Sequence, residues 1–138
     1  MVTCVWRMSG TQFEPRSFLK ANPNLVPDLV CIRGEAGRLG KVETTSGLNV
    51  TLAEAPDIRS AVELLGTHAW LTDALQEAEK QGAESCLDFS ILMSEENASA
   101  EITLPIDVLG MLHKLKTEIV FSVYLSRDGA DDDNEDLR

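Results

Sequence analysis

The chain has 138 residues, 43% of them apolar, which is enough for one compact domain around one core. Its 12 basic and 23 acidic residues leave a net charge of −11. That balance works against binding a phosphate backbone or an anionic membrane, where affinity comes from lysines and arginines displacing counterions.

The N-terminal run Val2 to Met8 alternates, with Val2, Cys4, Trp6 and Met8 on one side and Thr3, Val5 and Arg7 on the other. A period of two predicts a half-buried strand. After Ser9-Gly10, the stretch Phe13 to Leu19 reads as a short helix with Pro15 in its first turn, where a missing N–H costs nothing. Asn22-Pro23-Asn24 stops it. A second strand is expected over Leu29 to Arg33, leading into the glycine-rich loop Gly34 to Gly40. Lys41 to Thr45 and Leu48 to Leu52 then predict a hairpin that turns at Ser46-Gly47.

Helical spacing follows. Ile58, Val62, Leu65 and Ala69 recur at intervals near 3.6, and Leu71, Leu75 and Ala78 continue on a rotated stripe, which predicts two helices broken near Gly66-Thr67. Gly82 ends the second. Leu87, Phe89, Ile91 and Met93 alternate with Asp88, Ser90 and Leu92 as a strand, and Ser94 to Ser99 form a polar loop. Ile102 to Leu104 reads as a short strand. Pro105 opens a helix expected to turn Ile106, Leu109, Leu112 and Leu115 inward, and a last strand places Ile119, Phe121, Val123 and Leu125 inside.

Strands apolar on one face and polar on the other belong to a sheet covered by helices on one side, hence α+β with mostly antiparallel pairing. The order β-α-β-β-α-α-β-α-β contains βαββαβ, so the expected topology is a ferredoxin-like core with an added αβ unit. Residues 1–126 form the single domain. Residues 127–138 include six acids in the nine positions from Asp128 to Asp136 and are expected to be a disordered, solvating tail.

The opening strand into "SGTQFEP", the helix ended by "NPN", then "IRGE", "TSGLNVTL", two helices and the closing "ITLPIDVLGMLHKLKTEIVFSVYLS" resemble the bacterial domain-of-unknown-function family 4279, over about residues 3–125. Members typically carry a tryptophan where this chain has Leu48. The resemblance implies a small bacterial α+β domain and carries no catalytic residue with it.

Chemistry is sparse in the sequence itself. No Cys or His pair has zinc-ligand spacing, and the tail does not match a calcium loop from Asp128 or Asp131. Cys4, Cys31 and Cys86 each lie in an apolar segment, as reduced core thiols do, and Cys86 starts a strand rather than a helix, where thiols are activated. The glycine loop precedes no helix, so it offers no phosphate cradle. No catalytic residue, cofactor or metal is therefore expected.

Two constellations stand out. Arg33, Arg38 and Lys41 surround Glu35, where they could grip a carboxylate or an acidic loop of a partner, or Arg33 and Glu35 could simply pair across the hairpin or tie the acidic second half to the first. Arg7, Asp88, Ser90, Ser122 and Tyr124 should lie on the open sheet face, a surface suited to protein contact, including homodimerisation. One aromatic amid acids does not make an RNA platform. Charge is also divided unevenly along the chain: residues 1–69 hold seven basic and seven acidic residues, whereas residues 70–138 hold five and sixteen. The favoured partner is thus a basic protein. No run approaches the ~20 apolar residues of a membrane span and no signal peptide precedes the first strand. The expected function is a cytoplasmic, non-enzymatic protein-binding module, of immunity or inhibitor type. The alternatives are a small-ligand sensor or enzyme with a pocket near Arg33 and Glu35, or a structural oligomer.

Overall fold

The computed structural model describes residues 1–94 and 101–126, without the side chain of Arg38. The expected loop over 95–99 and the acidic tail therefore lie outside the described residues. Among those described, no helix is long and apolar enough to cross a membrane.

Among the described residues the fold is α+β: a five-stranded mixed sheet, mostly antiparallel, and four α-helices. The strands are β1 (Val2–Gly10), β2 (Leu29–Cys31), β3 (Ser46–Ala55), β4 (Glu84–Ser94) and β5 (Glu118–Ser126). The helices are α1 (Pro15–Ala21), α2 (Ile58–Gly66), α3 (Leu71–Lys80) and α4 (Ile106–His113). Across the sheet the order is β2-β3-β1-β4-β5, with only β4 and β5 parallel.

Register turns alternation into a core. Trp6 stands between Val50 and Leu87, and Phe89 lies between Cys4 and Phe121, so the apolar residues of the strands form one face. Onto that face pack Phe18 of α1, Ala61, Val62 and Leu65 of α2, Leu71, Leu75 and Ala78 of α3, and Val108 and Leu112 of α4. Phe18 meets Trp6 edge-on at 5.7 Å and Phe13 at the same distance. The opposite face carries Thr3, Val5, Arg7, Asp88, Ser90, Ser122 and Tyr124, the set that alternation assigns to it.

The helix ends follow local chemistry. The Asp57 carboxylate accepts the Ser60 N–H at 2.8 Å and caps α2. After α3, Gly82 takes φ +86°, while the Gly82 and Ala83 N–H groups bond back to the Glu79 and Ala78 carbonyls. Gly10 is fixed by proximity instead, because a Cβ there would stand 2.6 Å from the Gly82 carbonyl oxygen. β3 carries a bulge opposite Cys4 and Val5, which leaves Leu52 unmatched. The Leu52 carbonyl accepts from His68 Nε2 at 3.0 Å, and His68 stacks on Trp70 with ring centroids 5.0 Å apart. His68 is thus tied into the α2–α3 connection.

Five expectations need correction. The arm over Lys41 to Thr45 does not form. Ser46 and Gly47 lie within β3, pairing with Gly10 and Ser9, so long-range pairing with β1 overrides the local turn signal. β2 stops at Cys31, short of Arg33, and Ile102 to Leu104 is not a strand. In α4 the buried stripe is Val108 and Leu112, whereas Ile106 and Leu109 are exposed. In β5, Ile119 and Phe121 pack against the core, but Val123 and Leu125 are largely exposed because β5 is an edge.

Candidate functional site

The open face has a polar centre. Asp88 pairs across the sheet with Val5 on one side and Val120 on the other, and these neighbours help bury its side chain to 7% exposure. Its two oxygens accept from Arg7 Nε at 3.0 Å and from Ser122 Oγ at 2.9 Å. With the Asn49 amide turned so that its oxygen faces Arg7, it accepts from Arg7 Nη1 at 3.3 Å. β3, β1, β4 and β5 are thereby stitched side chain to side chain. Arg7 and Asp88 thus come together as alternation implied; Arg7 and Ser122 occupy the Asp88 oxygens, while the Arg7 side chain stays 42% exposed. Tyr124 stands apart, next to Leu92, and both side chains are about half exposed.

The glycine loop resolves differently from its sequence reading. Glu35 takes its cation from α1, with Arg16 Nη2 3.1 Å from both carboxylate oxygens. Arg33 lies past the end of β2; its guanidinium donates to the Thr11 carbonyl at 3.2 Å and its backbone N–H to Ser46 Oγ at 3.0 Å. The side chain of Arg38 lies outside the described structure, and Lys41 is exposed. The loop closes on itself through the Ala36–Val42 bridge and a Gly37 N–H to Lys41 carbonyl bond of 2.7 Å. Arg33 and Glu35 therefore anchor the loop to α1 and the segment before it. Neither residue lines the clefts beside α3, α4 and the open face.

Sequence reasoning missed a third place. At the end of the sheet where α3 turns into β4, a cleft of about 620 Å³ is lined by Leu75, Glu79, Glu84, Leu115, Lys116 and Glu118, among others. An adjoining cleft of about 420 Å³ shares Glu84, Ser85 and Glu118 and reaches Arg7, Asn49 and Cys86 on the open face. Glu79, Glu84 and Glu118 form no ion pair among the described residues. They converge from α3, β4 and β5, so only the acidic excess of the second half signalled them. Against these three carboxylates the same lining sets one cation, Lys116, so the concavity keeps a net negative field that attracts a cationic group.

The thiols are shaped by burial. Cys4 is pushed up to about 12, first by desolvation and then by the charge of Asp88 and by Cys86. Cys86 is raised by desolvation, Asp88 and Glu118, with Arg7 opposing them. A raised thiol carries less thiolate at neutral pH, and thiolate is the nucleophile. At pH 7 Cys86 is therefore expected to alkylate more slowly than cysteine in an unfolded peptide, with the gap narrowing as pH rises. Residue-resolved mass spectrometry after iodoacetamide treatment measures this; faster labelling of Cys86 than of the peptide contradicts it. The three cysteines are unpaired. Among the described residues, no group of three or more His, Cys, Asp or Glu side chains is placed to hold a metal ion.

Comparisons with protein-family models, curated proteins and solved structures found no match for the chain.

Proposed function

We propose that the chain is a non-enzymatic protein-binding module that presents its acidic second half to a basic partner, in the manner of an immunity- or inhibitor-type protein. The observation that carries this reading is the convergence of Glu79, Glu84 and Glu118 on one cleft without a compensating ion pair among the described residues. The thiols add support, since burial holds Cys4 and Cys86 toward the inert, protonated form. A cytoplasmic setting belongs to the same reading and is supported by the three unpaired cysteines.

Two finer readings accompany it. The order β2-β3-β1-β4 with antiparallel neighbours supports a ferredoxin-like core, and the parallel β5, reached through α4, supports the added unit. Membership in the bacterial family 4279 rests on the quoted motifs, as no family model matches.

The test is capture on the immobilised chain at low salt. A basic protein is expected to be retained by the native chain and released by about 0.5 M salt, where the Debye length shrinks to a few ångströms. Its affinity for Glu79→Gln/Glu84→Gln/Glu118→Gln is expected to fall at least tenfold. Retention that ignores both salt and the triple substitution, or no retained protein at all, defeats the reading.

A further inference from the structure

We propose that β5 is a self-complementary edge through which two copies of the chain pair antiparallel, joining their five-stranded sheets into one continuous sheet. This is independent of the acidic-cleft reading and uses a different part of the molecule.

The two edges of the sheet are unequal. β2 is only three residues long, which is one way a fold protects an edge from pairing. β5 runs for nine residues, EIVFSVYLS, and pairs with β4 without a register shift. It contains no proline or lysine, and its only charge is Glu118 at the start. Along it Val123, Tyr124 and Leu125 are between 47% and 56% exposed, so apolar surface is open on both faces of the same strand.

The sequence of β5 fits a second copy of itself. In an antiparallel pair centred on Ser122, Phe121 faces Val123 of the other copy, Val120 faces Tyr124 and Ile119 faces Leu125. The two-fold axis repeats each of these pairs. Directly opposed side chains lie on the same face of a sheet, so helix-side residues meet helix-side residues and open-face residues meet their like. Glu118 falls opposite Ser126, which avoids a like-charge pair. Centring one residue earlier or later places a serine opposite Val120 or Tyr124, which loses apolar matches.

A receptor for the opposing side chains is present. Between α4 and β5 lies a cleft of about 490 Å³ lined by Leu104, Leu109, Leu112, Ile119 and Phe121, among others. In the centred register, Val123 and Leu125 of the second copy come to Phe121 and Ile119, at the wall of that cleft. The acidic stretch that follows Ser126 in the sequence has no such apolar row to offer the edge.

Size and charge set the strength. A nine-residue ladder is about 30 Å long and, at a side-chain height of roughly 10 Å, covers roughly 300 Å² on each copy. Both copies together then bury roughly 600 Å², about half of what a stable interface needs, so the expected species is a weak dimer that forms only at high protein concentration. Each copy carries −11, so added salt should strengthen pairing by screening repulsion, opposite in sign to its effect on a basic partner.

Sedimentation equilibrium from low to several hundred micromolar protein tests this. The expected result is a shift from 15.1 kDa toward twice that mass, promoted by salt. Val123→Lys and Leu125→Lys sit at exposed positions and are expected to stay folded by circular dichroism while weakening dimerisation at least tenfold. A chain that remains monomeric throughout, or a dimer that both lysine variants form as readily as the native chain, overturns the proposal.

Discussion

Trp6→Ala is expected to lower the stability of the domain by about 3–5 kcal/mol, the cost of deleting a large aromatic from a packed core. For a chain of this length that corresponds to a fall in melting temperature of roughly 10–20 °C. Trp6 is fully buried in the central strand, between Val50 and Leu87, and Phe18 meets its ring edge-on. Removing the indole therefore loosens two things at once, the middle of the sheet and the seat of α1. A domain typically has only about 5–15 kcal/mol to lose. Trp6→Phe is expected to be much milder, and for more than reasons of volume. The buried Nε1–H of Trp6 has no hydrogen-bond partner among the described residues, so phenylalanine keeps a ring against Phe18 and removes an unsatisfied donor. Thermal and urea unfolding followed by circular dichroism measure both variants. A fall below about 3 °C for Trp6→Ala would show that the packing around this side chain is not what holds the fold.

How far these features can be read from the residues depends on whether the signal is local. β1 and β4 announce themselves, because alternation of Cys4, Trp6 and Met8, or of Leu87, Phe89 and Ile91, is a property of one segment. The break between α2 and α3 is equally local and falls at Gly66 and Thr67, where the apolar stripe rotates. Ser46-Gly47 misleads for the opposite reason. As a dipeptide it suggests a turn, but β1 offers Gly10 and Ser9 as partners, and a strand neighbour distant in sequence decides the outcome. Gly47 is not demanded by crowding either, since a Cβ there would make ordinary contact, 3.4 Å from the Met8 carbonyl oxygen. Val123 and Leu125 carry the alternation of inward residues, yet alternation cannot say where a sheet ends or how far α4 reaches along its last strand. The sites follow the same division. Parity alone puts Arg7, Asp88 and Tyr124 on one face. That Asp88 is sealed by Arg7 and Ser122, that Glu35 is held by Arg16, and that Glu79, Glu84 and Glu118 share a cleft all require register and tertiary packing.

The Arg7–Asp88 pair is expected to show an asymmetry that distinguishes a structural tie from a docking surface. Asp88 has a side chain only 7% exposed, whereas that of Arg7 is 42% exposed. Asp88→Ala leaves a guanidinium that can turn into water. Arg7→Ala leaves a carboxylate set between Val5 and Val120 with the Ser122 hydroxyl as its remaining donor. Stranding a buried charge costs more than releasing an accessible one. The expected losses are about 2–3 kcal/mol for Arg7→Ala and about 1–2 kcal/mol for Asp88→Ala, below the usual figure for a fully buried pair because water reaches Arg7. Adding Asp88→Ala to Arg7→Ala should then recover part of the loss, since the second change removes the charge that the first one stranded. Urea unfolding of the four proteins in this cycle yields the coupling directly. Strict additivity, or a larger loss for Asp88→Ala than for Arg7→Ala, would mean that the carboxylate is hydrated in solution. The centre of the open face would then be a wet polar patch able to exchange partners, and the case for docking would move from the edge strand to Arg7 and Asp88 themselves.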